Sequence, residues 1–178
     1  MRVAASGVSR REVLKLGLGA IVFLSTAGIT ASLSGCSSTT AAPGFSVLRT
    51  SDMPFLQAVI PVMLEGATAA VTVKNAVDAT LHSLDSGLAR LSPEILKLTQ
   101  QLFDVLAMAI TRGPLTGIWG GWETADAEQI RHFLGRWQNS SLNLLRQGHG
   151  SLLQLVLMAW YSRAESWAAC GYPGPPKI

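Results

Sequence analysis

"SPEILKLTQQLFDVLAMAI", Ser92 to Ile110, decides the fold class. Ser92 carries a hydroxyl that can accept from one of the amides left over at a helix start. Pro93 follows at the first helical position, where a missing N–H costs nothing. Glu94 places a negative charge at the positive end of the helix dipole. Ile95, Leu98, Leu102, Val105 and Ala109 then recur at three- and four-residue steps and are expected to form the buried stripe. Arg112–Gly113–Pro114 is expected to end the helix.

The same period extends to either side. A helix is expected from Asp52 to Glu65, capped by Ser51 or Asp52, with Phe55, Val59 and Val62 on one face. Pro61 should kink or break it. A second is expected from Thr68 to Leu88 on Val73, Val77, Leu81 and Leu84, with Gly87 as the stop. After the Ser92 helix, "GPLTGIWGGWETAD", Gly113 to Asp126, reads as a loop. Thr124 is expected to cap a fourth helix whose apolar side is Ile130, Phe133, Leu134 and Trp137. A fifth should run from Ser141 to Trp160 on Leu145, Leu152, Val156 and Trp160, with a kink or tight crossing at Gly148 or Gly150. "ESWAACGYPGPPKI", Glu165 to Ile178, is too rich in Pro and Gly for a helix. No run alternates apolar and polar residues long enough to mark a strand. The expectation is all-α, a bundle of about five helices joined by short loops.

Ahead of the bundle stands a secretory leader. Arg2, Arg10, Arg11 and Lys15 make its charged region, and Leu16 to Leu33 carries no charge. "SRREVLK", Ser9 to Lys15, resembles the motif read by the bacterial twin-arginine translocase, which exports folded cargo. Ser9, Arg10, Arg11, Leu14 and Lys15 fit the pattern, and Val13 stands where phenylalanine is usual. "LSGC", Leu33 to Cys36, resembles the box cut by the lipoprotein signal peptidase, so Cys36 is the expected lipidation site. Ser37 replaces the aspartate of an inner-membrane retention signal, which favours the outer membrane if there is one. The alternative is an ordinary cleavage near Thr39–Ala42 with no lipid. The chain thus divides into a leader over 1–35, a flexible tether over 36–46 and a helical domain over 47–178. Localisation at the periplasmic face of a bacterial membrane, held by a lipid anchor, follows from that reading.

The leader also accounts for the basic balance. It holds four of the fourteen Lys and Arg but one of the eleven acids, so the 143 residues from Cys36 carry ten of each sign. That neutrality argues against nucleic acid as a partner, which needs clustered positive charge. The charge-free stretch between Arg146 and Arg163 spans sixteen residues and includes His149 and two glutamines, too short and polar to cross a membrane.

Chemistry is sparse. His82, His132 and His149 share no ligand spacing, and no Glu-x-x-His pair marks a di-iron bundle. Glu128 and His132, four apart, read as a solvated face or an ion pair. There is no Cys-x-x-Cys-His for haem, and "GIWGG" lacks a lysine for phosphate. No cofactor is expected in this chain, and catalysis by it alone is not expected. If Cys36 is lipidated, Cys170 is either buried and inert or paired with another chain.

All five tryptophans, Trp119, Trp122, Trp137, Trp160 and Trp167, lie in the last sixty residues. Trp137 and Trp160 fall on helix stripes and suit core packing. Trp119, Trp122 and Trp167 lie in or beside loops and suit an interface, where tryptophan is a usual anchor.

The carboxy-terminal stretch "MAWYSRAESWAACGYPGPP", Met158 to Pro176, resembles the gluconate 2-dehydrogenase small-subunit family. These proteins accompany membrane-linked flavoprotein dehydrogenases of the glucose–methanol–choline family. The shared features are the twin-arginine leader, a helical body of this length, and a closing pattern. Here that pattern is Trp160–Tyr161, Trp167 and Gly171–Tyr172–Pro173–Gly174. The lipoprotein box departs from many relatives.

The resemblance implies a non-catalytic subunit. The large partner holds FAD, oxidises an alcohol or sugar and has no leader; a cytochrome c subunit often takes the electrons. The partner contacts so implied are Trp119, Trp122, Trp160, Tyr161, Trp167, Cys170, Gly171, Tyr172, Pro173 and Gly174. Cys170 is either a disulfide partner of the large subunit or a free thiol. Two rival readings are a stand-alone structural or binding lipoprotein, and a redox enzyme with a cofactor of its own.

Overall fold

The computed structural model describes residues 40–68 and 72–174. The leader over 1–35, with Ser9, Arg10, Arg11, Leu14 and Lys15, and the lipidation site Cys36 lie outside the described residues.

The fold is all-α. Five longer helices are α1 (Met53–Met63), α2 (Val73–Leu88), α3 (Pro93–Ala107), α5 (Ala127–Gln138) and α6 (Asn143–Tyr161). Two shorter ones are α4 (Ala109–Thr116) and α7 (Ala164–Trp167). Single 3₁₀ turns cover Trp122–Thr124 and Ala168–Cys170.

Helix α1 is the hub. Phe55, Leu56, Val59 and Ile60 are buried, and the helix touches α2, α3, α5, α6 and the Trp122 turn. A helix apolar on several faces belongs in the centre of a core. Pro61 falls in its last turn, and the helix stops two residues later at Met63. The break expected there takes the form of an ending, so only one backbone bond is forfeited. Helix α2 starts at Val73 and packs most extensively on α6. Gly148 makes the tight crossing expected in α6. A Cβ there would lie 2.8 Å from Cζ3 of Trp137, whereas one on Gly150 would meet nothing, and the helix runs through both.

Helix α3 departs from expectation in two ways. Its buried residues are Phe103 and Leu106, not the stripe that starts at Ile95. Ile95 is 50 % exposed and Leu98 61 %. The sequence carries two apolar rows a residue apart, and the row holding the large Phe103 ring won the core. The helix also breaks at Met108, whose ψ of 129° is extended. Arg112–Gly113–Pro114, expected to end α3, lies inside α4 instead. Gly117, at φ +82°, closes α4 with its N–H bonded to the Gly113 carbonyl.

The break leaves carbonyls without helical partners. Thr111 Oγ1 donates to the Val105 oxygen at 2.6 Å, and Trp122 Nε1 donates to the Leu106 oxygen at 2.8 Å. That second bond draws the Trp122 turn into the core. A series of ring contacts then runs Phe103–Phe55–Trp122–Phe133–Trp137, with centroids 5.0 to 6.2 Å apart, edge to face except for the tilted Phe55–Trp122 pair. Helix α5 begins on Asp126 rather than the expected Thr124. Asp126 Oδ1 accepts from Gln129 N at 2.8 Å and Gln129 Oε1 accepts from Asp126 N at 3.0 Å, a reciprocal cap.

The expected tether does not reach residue 46. From Thr40 onward the chain folds against the helices: Ala42 is buried, and its N–H donates to the Leu48 carbonyl at 2.8 Å. The tail also departs from expectation, since Ala164–Trp167 and Ala168–Cys170 are short helical turns.

Candidate partner interface

The tail is a built unit. Trp167 Nε1 donates to the Tyr161 carbonyl at 3.1 Å, which ties it to the end of α6. The Trp167 and Tyr172 rings meet edge to face at 5.5 Å, and Tyr172 N donates to the Trp167 carbonyl at 2.9 Å. Gly171 and Gly174 take positive φ, and a Cβ on Gly174 would sit 3.1 Å from the Trp167 ring. Glycine is required there because the backbone must both turn left-handed and pass close to an indole. The result displays Tyr161, Cys170, Gly171, Tyr172 and Pro173 to solvent, with Trp167 half-buried beneath them. Cys170 is a free, exposed thiol, so of the two expectations for it the buried, inert one does not hold.

Two of the expected contacts belong elsewhere. Trp122 and Trp160 are each 2 % exposed and pack in the core. Trp160 lies on the α6 face turned inward with Leu152 and Val156. In the sequence Trp122 falls in a loop, because the α3 break that captures it through the Leu106 carbonyl leaves no pattern there. Trp119 does stand out, 79 % exposed, its ring laid against Gly113. A Cβ on Gly113 would come within 2.5 Å of that ring, so the glycine seats the indole.

Sequence reasoning missed a groove. Helices α2, α3 and α6 enclose an open trough of about 800 Å³, floored by Leu84, Leu88, Leu155 and Ala159. Ile95 of α3 and Met158 of α6 stand on its walls, half to two-thirds exposed. Arg90 and Arg163 line it, and no carboxylate does. Arg163 is partly neutralised by Glu165 at 2.8 Å, while Arg90 makes no ion pair among the described residues. The signal was available: a helix with two apolar rows can bury only one against a single core.

At the amino-terminal end of the described residues, Ser46–Arg49 is fastened to the helices. One carboxylate, Asp85 of α2, accepts the backbone N–H groups of Ser46, Val47 and Leu48 at 2.9, 2.8 and 2.8 Å. Burial by itself would push the Asp85 carboxyl up. The amides of Leu48, Ser46 and Val47, with His82 nearby, outweigh it and hold the group below its ordinary value. Arg49 is clamped between Asp52 and Asp104, with nitrogen–oxygen distances of 2.8 Å to each.

Other groups gather into little. Glu128 and His132 line a shallow depression of about 280 Å³ beside Thr116 and Asp126. Among the described residues, no three His, Cys, Asp or Glu side chains gather closely enough to hold a metal ion. No helix among them is long and apolar enough to cross a membrane. Comparison of the chain with family models, with curated proteins and with solved structures finds no match in any of the three.

Proposed function

We propose that this chain is the non-catalytic small subunit and export escort of an FAD-dependent alcohol or sugar dehydrogenase of the glucose–methanol–choline family. The flavoprotein acquires FAD and folds in the cytoplasm, and this chain binds it there. The twin-arginine motif then carries both through the translocase. Afterwards the small subunit holds the complex at the periplasmic face of the membrane through lipid on Cys36. In complexes of this kind a cytochrome c subunit often takes the electrons.

The observation that carries this reading is the pairing, on one chain, of Ser9–Arg10–Arg11 with the closing pattern Trp160–Tyr161, Trp167 and Gly171–Tyr172–Pro173–Gly174. A leader for folded cargo needs a cargo, and the tail resembles that of subunits that have one. The helical body is in keeping with it. So is the tail's construction: Trp167 and Tyr172 are already fixed by a hydrogen bond and a ring contact, so little ordering entropy is lost on docking. Trp119 offers a large apolar anchor of the kind that concentrates binding energy.

Co-expression tests the proposal. A tag on this chain should draw down a flavoprotein in equimolar amount, with the flavin spectrum in the partner. If this chain purified alone shows flavin, haem or metal absorbance and oxidises an alcohol unaided, the escort reading is wrong.

A further inference from the structure

The trough between α2, α3 and α6 has the composition of a docking site for a polypeptide segment. We propose that it receives an amphipathic segment of the flavoprotein subunit, whose apolar side chains lie along Ile95, Leu155 and Met158 and whose carboxylates meet Arg90. The inference rests on the escort reading and names the surface that reading left open.

Three observations point to this occupant. The first is continuity of apolar surface. Leu98 lies one turn from Ile95 on α3, and Tyr161 lies one turn from Met158 on α6; these four side chains are between 43 and 64 % exposed. Tyr161 carries this surface towards the Trp167–Tyr172 unit, because it supplies the carbonyl that Trp167 binds. Groove and tail therefore adjoin at the end of α6, and one partner can cover both.

The second is shape. An enclosing pocket buries most of a small ligand's surface. This trough leaves its walls in solvent, which suits a segment laid across it, helix in groove.

The third is charge. The lining holds Arg90 and Arg163 and no acid; Arg163 is paired with Glu165 beside the trough, and Arg90 makes no ion pair among the described residues. The chain's own leader carries Arg2, Arg10, Arg11 and Lys15, the same sign, and is a poor occupant. A second copy docked about a two-fold axis would bring this basic face against itself. An acidic, apolar segment from another chain satisfies both Arg90 and the exposed row.

The experiment places a photo-crosslinking benzoylphenylalanine at position 158 of the full chain, and in a control at position 74, an exposed site on α2 outside the trough. The chain is co-expressed with the flavoprotein, irradiated, and the joined peptides are identified by mass spectrometry. Position 158 should join a flavoprotein peptide that contains apolar residues and Asp or Glu, and position 74 should not. Arg90→Glu should weaken the complex about tenfold or more, and the loss should shrink at high salt. Because Arg90 is exposed, the variant's melting curve should match the wild type's.

A flavin-bearing complex in which position 158 joins a second copy, residues of the leader, a lipid or nothing overturns the groove assignment and leaves the escort reading standing. Failure to recover any flavin-bearing complex overturns both.

Discussion

Removing the Asp85 carboxylate should loosen the amino-terminal strap and cost a large fraction of the domain's stability. The magnitude follows from what the carboxylate holds. It accepts three backbone N–H groups, of which Leu48 N is fully buried and those of Ser46 and Val47 are partly so. In Asp85→Ala the Leu48 amide is left dry and unpaired, at about 1–3 kcal/mol, while the other two can turn to water and lose about 1 kcal/mol each. The total is about 3–5 kcal/mol. Asp85→Asn keeps the oxygen that serves Val47 and Leu48 but can turn an amide N–H2 towards Ser46 N, for a loss of about 1.5–3 kcal/mol. The chain from Cys36 onward has 143 residues. At that size each kcal/mol moves the melting temperature by about 3–4 °C, so the alanine variant should melt about 10 °C or more below wild type.

The assay is thermal and urea unfolding by circular dichroism, with amide hydrogen exchange at Leu48 as the local readout. The pH dependence has a fixed sign. A carboxyl held below its ordinary value in the folded state contributes fully above its unfolded pKa near about 4 and loses that contribution as the pH falls through the folded value. Wild type should therefore lose stability in that acid window more steeply than Asp85→Asn. An alanine variant that melts within about 2 °C of wild type, or that keeps full exchange protection at Leu48, would refute the reasoning.

Three other outcomes follow from the packing. Gly148→Ala should destabilise by about 1–3 kcal/mol through the clash with Trp137, while Gly150→Ala, with open space around it, should stabilise by up to about 1 kcal/mol; urea midpoints distinguish them. Trp122→Phe strips the donor from the Leu106 carbonyl and should lower stability by about 1–3 kcal/mol without weakening partner binding, as read by unfolding and calorimetry. Trp119→Ala and Tyr172→Ala should show the reverse: folding nearly unchanged, since Trp119 is 79 % exposed and the Tyr172 ring packs on Trp167 of the tail rather than in the core, and affinity for the flavoprotein reduced by about tenfold or more in the same titration.

The parts of the fold legible in the sequence were those set by local chemistry. Ser92–Pro93–Glu94 starts α3 as it reads, with Ile95 N bonded to the Ser92 hydroxyl. The apolar side of α5, Ile130, Phe133 and Trp137, is buried as its spacing implies. The rest depended on contacts between distant residues. Met108 breaks α3 although nothing around it marks a stop, because Thr111 and Trp122 are placed to take the freed carbonyls. Thr124 and Asp126 both read as helix caps; the reciprocal bond with Gln129 decides for Asp126. The choice between the Ile95 row and the Phe103 row turned on which neighbours were waiting. Of the candidate interface, the tail and Trp119 lie at the surface as their loop positions suggested. Trp122 and Trp160 do not, since a tryptophan in or beside a loop can still be drawn inward by one hydrogen bond or by its place on a stripe.

The central claim is that the folded cargo is another protein and that this chain provides its passage. The most direct measurement follows the flavoprotein's location when it is co-expressed with wild-type chain or with Arg10→Lys/Arg11→Lys. With the wild type, flavin-loaded partner should appear in the periplasmic and membrane fractions; with the double substitution it should remain in the cytoplasm, still bound to this chain. Flavoprotein reaching the periplasm undiminished beside the double-lysine chain would contradict the account.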